Sequence, residues 1–464
     1  MGDQSIEISN MPCYDYICSQ LESGMRTLVC FILLLTIATP AAAEQWIVRA
    51  DMWGVSAYYT LNVERTDNNW VGDLDGGEIR GTADEDRITF SVRSGHDSGA
   101  VFTGRIVEDR MSGFATFPDR NGGEGATTRH EFSAWRVPER APGGVQTHRY
   151  DPSDFSHTWN PDREPVLVIW PGDTVITETI DSGGIDSNGN TQSLFGNPQT
   201  GPFFIAGAEP GDTLAIRIIS LTPNRDYADS LDHIVQRVRG PQLTSDSEQI
   251  GRFVRWNIDR EAGVARPANV SDALAELEVP LRPMLGGLGV APSFGWPAIS
   301  TGDTGHFGGN MDFSEVVAGN TVYLQVQRPG ALLYLGDAHA AQGDGETTQF
   351  ALETSMDVVF SVSLIKQSAT PMPRVESPDA IMVLGQAGTM EDALQIATGG
   401  MVSWLRTDYG LTLSDSAQLM GAAIEYRIAN LAGRNIGIAA IIDKSLLPES
   451  QNTLTLAPED SRED

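Results

Sequence analysis

Glycine and proline occur so often in this chain that only short secondary-structure elements fit between them over most of its length. The 464 residues include 48 glycines and 25 prolines. The runs between them, such as 57–63, 87–92 and 214–219, are rich in β-branched, aromatic and aliphatic residues, as β-strands are. Because glycine and proline are typical turn residues, the sequence predicts a mainly β protein.

The β-pattern divides into two regions separated by a linker. Residues 44–137 contain strong turn signals, Asp-Gly-Gly at 75–77 and Asn-Gly-Gly at 121–123, which favour hairpins. We therefore expect a small antiparallel β meander or barrel here. Residues 138–145 are rich in proline and glycine, a composition typical of a linker, and the larger second domain is expected over 146–447.

The sequence pattern of the second domain changes from strand-like to helical near its end. Apolar residues recur at helical spacing from Leu394 to Leu405, and Gly410 is a stop signal. Ser414 is the expected cap of a second helix that continues to Ile428 on one apolar face. The pattern predicts a C-terminal αα-hairpin packed on a sheet. The acidic residues 448–464 are predicted to be a disordered tail.

The first 43 residues have the pattern of a leader followed by a secretory signal peptide. A basic start at 25–26 precedes an apolar run at 28–38, and small residues at 40–43 resemble a cleavage site. Residues 1–24 carry four acids and no base, so translation is expected to start at residue 25. We expect a periplasmic or secreted protein that is not inserted in a membrane after cleavage.

Charge and cysteine content exclude several classes of function. The formal net charge of −31 repels phosphate backbones, so nucleic acid is not an expected partner. The three cysteines, Cys13, Cys18 and Cys30, all precede the expected cleavage site. The mature chain would then have no disulfide, thiolate metal site or cysteine nucleophile. The sequence leaves a homo-oligomer open.

Two clusters of histidine and carboxylate residues carry the candidate chemistry. Nucleophile elbows and phosphate-binding loops have no match in this sequence, which leaves a metal-activated water as the route to hydrolysis. The first cluster runs from His306 to Asp312. The second places Asp337, His339, Asp344 and a further glutamate within ten residues.

The spacing of Asp337 and His339 favours a shared metal ion. In an extended strand, residues two apart point to the same face, so both side chains can reach one ion. An imidazole together with carboxylates suits zinc or another transition metal better than calcium, which takes oxygen ligands. His306, in the first cluster, is a further candidate ligand.

The chain resembles the acetamidase/formamidase family over roughly residues 150–447. The most specific match is His-Ala-Ala-Gln-Gly-Asp-Gly-Glu at 339–346, because a motif of this length has no generic structural reason to recur. The other matching stretches lie at 197–202, 206–212, 279–283, 289–292, 308–312 and 329–337.

This resemblance implies a β-rich fold with a C-terminal helical element and hydrolysis of short amides to carboxylate and ammonia. It also implies a divalent metal held by Asp312, Asp337 and His339. Zinc is the expected ion, with calcium as the other candidate. The substrate would be a small-molecule amide of the formamide or acetamide type.

The resemblance further implies roles for residues around the metal. Glu346 lies near the attacking water as general base, with Asp344 as the next candidate. Asn310 and Gln342 would contact the amide. Phe307 separates His306 from the double glycine of the family motif.

Two alternatives stay open at this point. One is an exported binding protein in which the acidic clusters hold calcium and the N-terminal domain recognises a partner. The other is an amidase for larger or carbamoyl-type amides. The N-terminal β-domain and the signal peptide are not the common arrangement of the family, which keeps a different amide substrate open.

Overall fold

The computed structural model describes residues 43–244, 251–293, 295–368 and 370–450. Strands account for 46% of the structure and helices for 10%, so the predicted mainly β class is confirmed. The predicted leader and signal peptide, apart from Ala43, and the predicted tail from residue 451 onwards lie outside the described residues.

The N-terminal region forms a closed antiparallel barrel of eight strands, which confirms the expected small β-domain. Each strand pairs with the next, and the first closes the barrel by pairing with the last. The strands are β1 (Glu44–Met52), β2 (Val55–Thr66), β3 (Asn69–Leu74), β4 (Gly77–Asp84), β5 (Arg87–Val92), β6 (Val101–Val107), β7 (Arg110–Pro118) and β8 (Thr127–Arg136).

Side chains fill the interior of this barrel. Trp70, Phe90 and Phe102 are at most 1% exposed, and the rings of Phe90 and Phe102 stack with centroids 4.6 Å apart. Eight strands enclose a space that side chains can fill, and the alternation of polar and apolar residues along each strand supplies them. The barrel interior is therefore a packed core.

The second region contains the remaining strands, most of them short as the glycine and proline content predicts. They are β9 (Thr147–Arg149), β10 (Thr158–Trp159), β11 (Leu167–Ile169), β12 (Thr174–Thr179), β13 (Gln199–Ile205), β14 (Thr213–Pro223), β15 (Tyr227–Leu231), β16 (Phe253–Asp259), β17 (Val264–Pro267), β18 (Val279–Pro280), β19 (Met284–Val290), β20 (Ile299–Ser300), β21 (Thr304–Gly305), β22 (Gly308–Asn310), β23 (Thr321–Gln325), β24 (Leu333–His339), β25 (Met356–Ile365), β26 (Arg374–Glu376), β27 (Ala380–Ala387), β28 (Glu425–Asn430) and β29 (Ile436–Asp443).

Two large sheets share the core of this region. One has six strands in the order β11-β13-β24-β19-β22-β21, and the other has nine in the order β28-β29-β27-β26-β23-β14-β25-β12-β9. Phe203 and Leu333 from the first sheet and Leu214 and Phe360 from the second belong to one buried cluster. All seven residues of β24 are buried, because this strand lies inside the six-stranded sheet.

Helices are few and concentrate near the C-terminus, as predicted. The two longest helices are neighbours near the C-terminus. The first of them packs on the nine-stranded sheet through Ala397, Met401 and Leu405. Among the described residues, no helix is long and apolar enough to cross a membrane. The helices are α1 (Pro241–Thr244), α2 (Met390–Asp408) and α3 (Leu413–Ala423), with 3-10 turns at Gln236–Val238, Asp272–Leu274 and Lys444–Leu446.

The limits of these two helices follow local signals, with one correction. Gly410 adopts φ +67 directly after α2, as a stop residue does. Thr412, and not Ser414, caps α3 through a reciprocal pair of hydrogen bonds with Asp415, a capping box. The helix ends before Ile428, which lies in β28 because that strand pairs with β29.

The linker between the domains is attached to the second domain. Residues 138–145 are all described and contain no regular secondary structure. Buried Asp173 accepts hydrogen bonds from Arg140 Nη2, the backbone amides of Gln146 and Trp170, and pairs with His148 Nε2, all within 3.0 Å. One carboxylate thus fixes the end of the linker against the start of β12.

Candidate active site

Five ionisable side chains converge where β24 ends and the following loop returns towards β25. Each is at most 6% exposed. Two of them come from β24 itself, one follows β22, and two lie in the loop after β24. They are Asp312, Asp337, His339, Glu346 and Glu353.

These side chains form two overlapping groups of donor atoms. The donor atoms of Asp312, Asp337 and His339 all lie within 4.8 Å of one another, and so do those of His339, Glu346 and Glu353. His339 Nε2 lies 3.6 Å from Asp337 Oδ1 and 3.2 Å from Glu353 Oε1. The imidazole is therefore the shared member of both groups.

The backbone at the site does not have the regular extended conformation that the spacing of Asp337 and His339 suggested. Asp337 has φ +53, so it is not in extended conformation, and the assumption of a regular strand at this residue is wrong. Asp312 (φ +41), Glu346 (φ +46) and Asn197 (φ +54) are also left-handed. Such conformations in non-glycine residues store strain and concentrate at functional sites. Here they turn the carboxylates towards His339.

A glycine in β19 makes room for the carboxylates. Gly286 lies between Leu285 and Gly287, which pair with Ala338 and Gly336, the two neighbours of Asp337. A Cβ atom at this position would lie 2.5 Å from Asp312 Oδ1 and 2.9 Å from Asp337 Oδ2. These distances are shorter than van der Waals contact, so the glycine-rich sequence of β19 is required by the cluster as well as by the sheet.

Gln342 orients His339. Its side-chain amide donates to the Asp312 carbonyl oxygen, which leaves Oε1 facing His339 Nδ1 at 2.7 Å. His339 Nδ1 is therefore the donor, and Nε2 faces the carboxylates. A partner of this kind fixes the tautomer and ring orientation of a metal-binding histidine. Gln342, predicted as a substrate contact, thus lies behind the imidazole.

Three asparagines connect the carboxylates to one another. Asn197 Nδ2 donates to Asp337 Oδ2 at 2.8 Å and to Asn310 Oδ1 at 2.6 Å. Asn310 Nδ2 and Asn430 Nδ2 both donate to Asp312 Oδ2. These amides hold the carboxylates in place. Asn310 and Asn197 also line the cavity described below.

Burial and mutual repulsion disfavour charge on the carboxylates. Burial, followed by the charge of Asp337, raises the pKa of Asp312, and burial followed by the charge of Asp312 raises the pKa of Glu346. Burial alone would lower the pKa of His339, but the carboxylates of Glu353 and Asp337 outweigh it and raise that pKa. The cluster therefore favours a positive charge at its centre.

The side chains present fit a divalent metal ion. Asp312 Oδ1 and Glu353 Oε2 are buried polar atoms without a hydrogen-bond partner among the described residues. Buried oxygens of this kind need a partner, and a cation provides one. One imidazole with several carboxylates is a donor set that zinc and related ions accept.

Two predicted site residues lie apart from this cluster. Asp344 forms an ion pair with Arg427, 2.6 Å from its Nη2, and Arg427 lowers the pKa of Asp344. The ring of His306 packs edge-on against Trp296 and Phe307 at 5.8 and 5.9 Å, and burial lowers its pKa. Neither residue belongs to a metal-type group found in the described chain.

Three residues of the candidate site were not predicted from the sequence. Glu353 lies seven residues beyond the recognised motif, and no spacing rule points to it. Asn197 begins one of the stretches that resemble the family, so its polar side chain was a usable signal. Asn430 lies more than a hundred residues from Asp312 in the sequence and contacts it through the fold. Its position depends on the pairing of β28 with β29.

Three carboxylates of the cluster, Asp337, Glu346 and Glu353, line a cavity of about 210 Å³. It is also lined by Gln349, Arg434, Phe195 and Phe350. The cavity gives a small molecule access to buried carboxylates.

Comparison with known proteins shows what this chain is similar to. The model of the family described as "Acetamidase/Formamidase family" matches residues 146–301 and 296–391. An acetamidase from Yersinia enterocolitica has a solved structure with a TM-score of 0.58 and 30% identity, covering 67% of this chain and 95% of that one. An acetamidase structure from Bacillus halodurans has a TM-score of 0.55 and 26% identity, covering 64% and 97%.

A formamidase from Methylophilus methylotrophus is 23% identical over 257 residues, which span 45% of this chain and 63% of that protein. These relatives and the solved structures define the class, a hydrolase acting on amides. The chain belongs to the acetamidase/formamidase family. The eight-stranded barrel precedes the matched region.

Proposed function

We propose that this protein hydrolyses a short-chain amide, of the formamide or acetamide type, to a carboxylate and ammonia in a metal-dependent reaction. The observation that carries the proposal is the buried cluster of one histidine and four carboxylates beside a cavity, in a chain of the acetamidase/formamidase family. Donor atoms without a hydrogen-bond partner support the metal dependence.

Asp312, Asp337 and His339 would hold the metal ion in this proposal, with Glu353 as a further donor. When bound, a divalent ion supplies Lewis acidity and makes a water molecule easier to deprotonate. Zinc is favoured over calcium because an imidazole lies at the centre of the donor set.

Glu346 is the proposed general base. It accepts a proton from the attacking water and later returns it to the departing ammonia. The same side chain thus acts first as the base and then as the acid. Burial, followed by the charge of Asp312, raises the pKa of Glu346 above that of an exposed glutamate, which makes its carboxylate a stronger base. The amide of Asn310 is the proposed polar contact for the substrate.

The proposal also includes export. The basic, apolar and small-residue pattern at 25–43 supports secretion or delivery to the periplasm. A small-molecule amide is the expected partner, and the strongly negative net charge of −31 argues against nucleic acid.

Ammonia release separates this function from a structural role for the cluster. The full-length protein is assayed with formamide and acetamide beside His339→Ala and His306→Ala. Loss of a central ligand should lower turnover by at least about 10²-fold in His339→Ala. His306→Ala, whose ring packs on Trp296 and Phe307, should keep most of the activity. Equal activity in His339→Ala and wild type would contradict the proposal.

A further inference from the structure

Two phenylalanines form an apolar part of the cavity lining. Phe195 and Phe350 both line it, and their ring centroids are 5.7 Å apart in an edge-to-face arrangement. Phe253 stacks on the outer side of Phe350 at 6.1 Å. Phe195 is 61% exposed and Phe253 is 70% exposed. Contiguous exposed aromatic surface of this kind is typical of binding sites.

The chain holds both phenylalanines close to the reacting groups. Phe195 precedes Gly196 and Asn197, whose backbone amides both donate to the Ser182 carbonyl oxygen at 3.0 and 3.2 Å. Asn197 in turn donates to Asp337 Oδ2. A displacement of this loop would therefore disturb a carboxylate of the cluster.

Phe350 is attached to the other side of the site. The amide of the next residue, Ala351, donates to Glu346 Oε1 at 3.0 Å and to Glu353 Oε1 at 3.2 Å. Gln349, directly before Phe350, has φ +75, a conformation that a residue with a side chain seldom adopts. The strained turn and the two carboxylates together set the direction of Phe350.

The size of the cavity exceeds what the smallest amides need. A cavity needs about 10–15 Å³ of free volume for one water molecule, so formamide with three heavy atoms needs roughly 45 Å³ and phenylacetamide with ten needs roughly 150 Å³. The cavity measures about 210 Å³. A substituent on the carbonyl carbon that extends from the polar wall would reach the two rings, where burial of apolar area is favourable.

We infer that the preferred substrate is a primary amide whose carbonyl carbon carries an apolar group larger than methyl, bound against Phe195 and Phe350. This inference rests on the proposed amide hydrolysis and adds the class of substrate. Phenylacetamide has the required form, with one end for the polar wall and a ring for the aromatic wall.

The test compares kcat/KM for formamide, acetamide and phenylacetamide in the full-length protein. Wild type should favour phenylacetamide. Phe195→Ala should lower kcat/KM for phenylacetamide about tenfold more than it lowers kcat/KM for formamide, the effect of losing part of an aromatic contact. Phe350→Leu, which keeps an apolar side chain, should lose less than Phe195→Ala does.

Leu194→Ala is the matched control, because Leu194 is 79% exposed beside Phe195 but does not line the cavity. A wild-type preference for formamide or acetamide, or an equal loss on all three amides in Phe195→Ala, would overturn the inference while leaving amide hydrolysis intact. Absence of ammonia from every amide would instead contradict the proposed function itself.

Discussion

Glu346 combines two features that are costly for a glutamate. Its backbone is left-handed, with φ +46, and its side chain is 6% exposed. A carboxylate away from water needs partners, and the amide of Ala351 is one of them at 3.0 Å. A residue held in this way at the wall of a cavity fits a chemical role better than a structural one.

Glu346→Gln should keep the metal and lose turnover. The amide has nearly the same size and can still accept from Ala351, but it cannot take a proton. We expect kcat for formamide to fall about 10²–10⁴-fold with metal content unchanged, as measured by ammonia release and elemental analysis of the same sample.

Asp344→Asn is the parallel control, since Asp344 lies on the same loop but pairs with Arg427 outside the cluster. We expect it to retain most of the activity. If Glu346→Gln turned over normally and Asp344→Asn did not, the assignment of the base would be wrong.

The sequence pointed to Asp312, Asp337 and His339, whose donor atoms lie close together, but not to the roles of the residues around them. Asp337 and His339 could be paired because they lie two residues apart, although the left-handed φ of Asp337 replaced the extended backbone on which the argument depended. The orienting role of Gln342 depends on a contact with the Asp312 carbonyl oxygen. A contact of this kind is set by the tertiary fold and cannot be read from local spacing.

Among the elements, the segment between the domains is more ordered than its composition indicates. Asp173 is fully buried, and its carboxylate forms hydrogen bonds with four residues between 140 and 170. Burial alone would raise the pKa of Asp173, but hydrogen bonds from His148, Gln146 and Trp170 outweigh it and lower the pKa below its ordinary 3.8. The charged carboxylate is thus the form that stabilises this junction.

Asp173→Asn should destabilise the protein in a pH-dependent way. Because the folded-state pKa of Asp173 is lowered, its contribution is fully present above the unfolded value of about 3.8 and is lost as the pH falls through the folded value. Urea unfolding at pH 7 should show a loss of roughly 2 kcal/mol, and the difference from wild type should shrink as the pH falls below 3.8.

The control is Asp151→Asn, whose side chain is 78% exposed and 3.9 Å from its arginine partner; it should change stability little. A pH-independent loss in Asp173→Asn would show that packing, and not the charge, matters at this position.

Elements set by local signals were predicted well, and those set by distant pairing were not. Helix α2 follows from apolar spacing and from the stop at Gly410. Helix α3 was predicted too long because Ile428 continues the apolar period, yet the residue pairs with Ile438 of β29. The tertiary pairing of a strand overrides a local helical period.

For the whole molecule, the barrel contacts the second domain without entering the described active site. Trp135 packs edge-on against Phe204 at 4.7 Å, and the guanidinium of Arg328 lies over Tyr58 at 4.8 Å. The residues that line the cavity all lie between 182 and 434. The sequence predicted a small β meander or barrel ahead of a larger β region, and the N-terminal strands form a closed barrel. The strand order of the two large sheets, in which β14 pairs with both β23 and β25, had no local signal.

A protein of residues 146–464 should therefore keep its amidase activity. We expect it to be folded and active within about threefold of the full chain, but to unfold at a lower temperature. The reason is that Phe204 and Arg328 lose their contacts with the barrel, and exposed apolar area costs free energy. Circular dichroism melting and ammonia release measure the two effects. A well-folded but inactive truncated protein would show that the barrel has a part in the reaction.

The proposed function requires that the buried histidine–carboxylate cluster hydrolyses amides with a bound divalent metal. The direct test measures metal content and ammonia release from formamide, acetamide and phenylacetamide on one full-length preparation, as purified, after chelation and after zinc is restored. We expect activity to fall with the metal and to return with zinc in wild type but not in His339→Ala. A metal-free protein that releases ammonia at the full rate would contradict it.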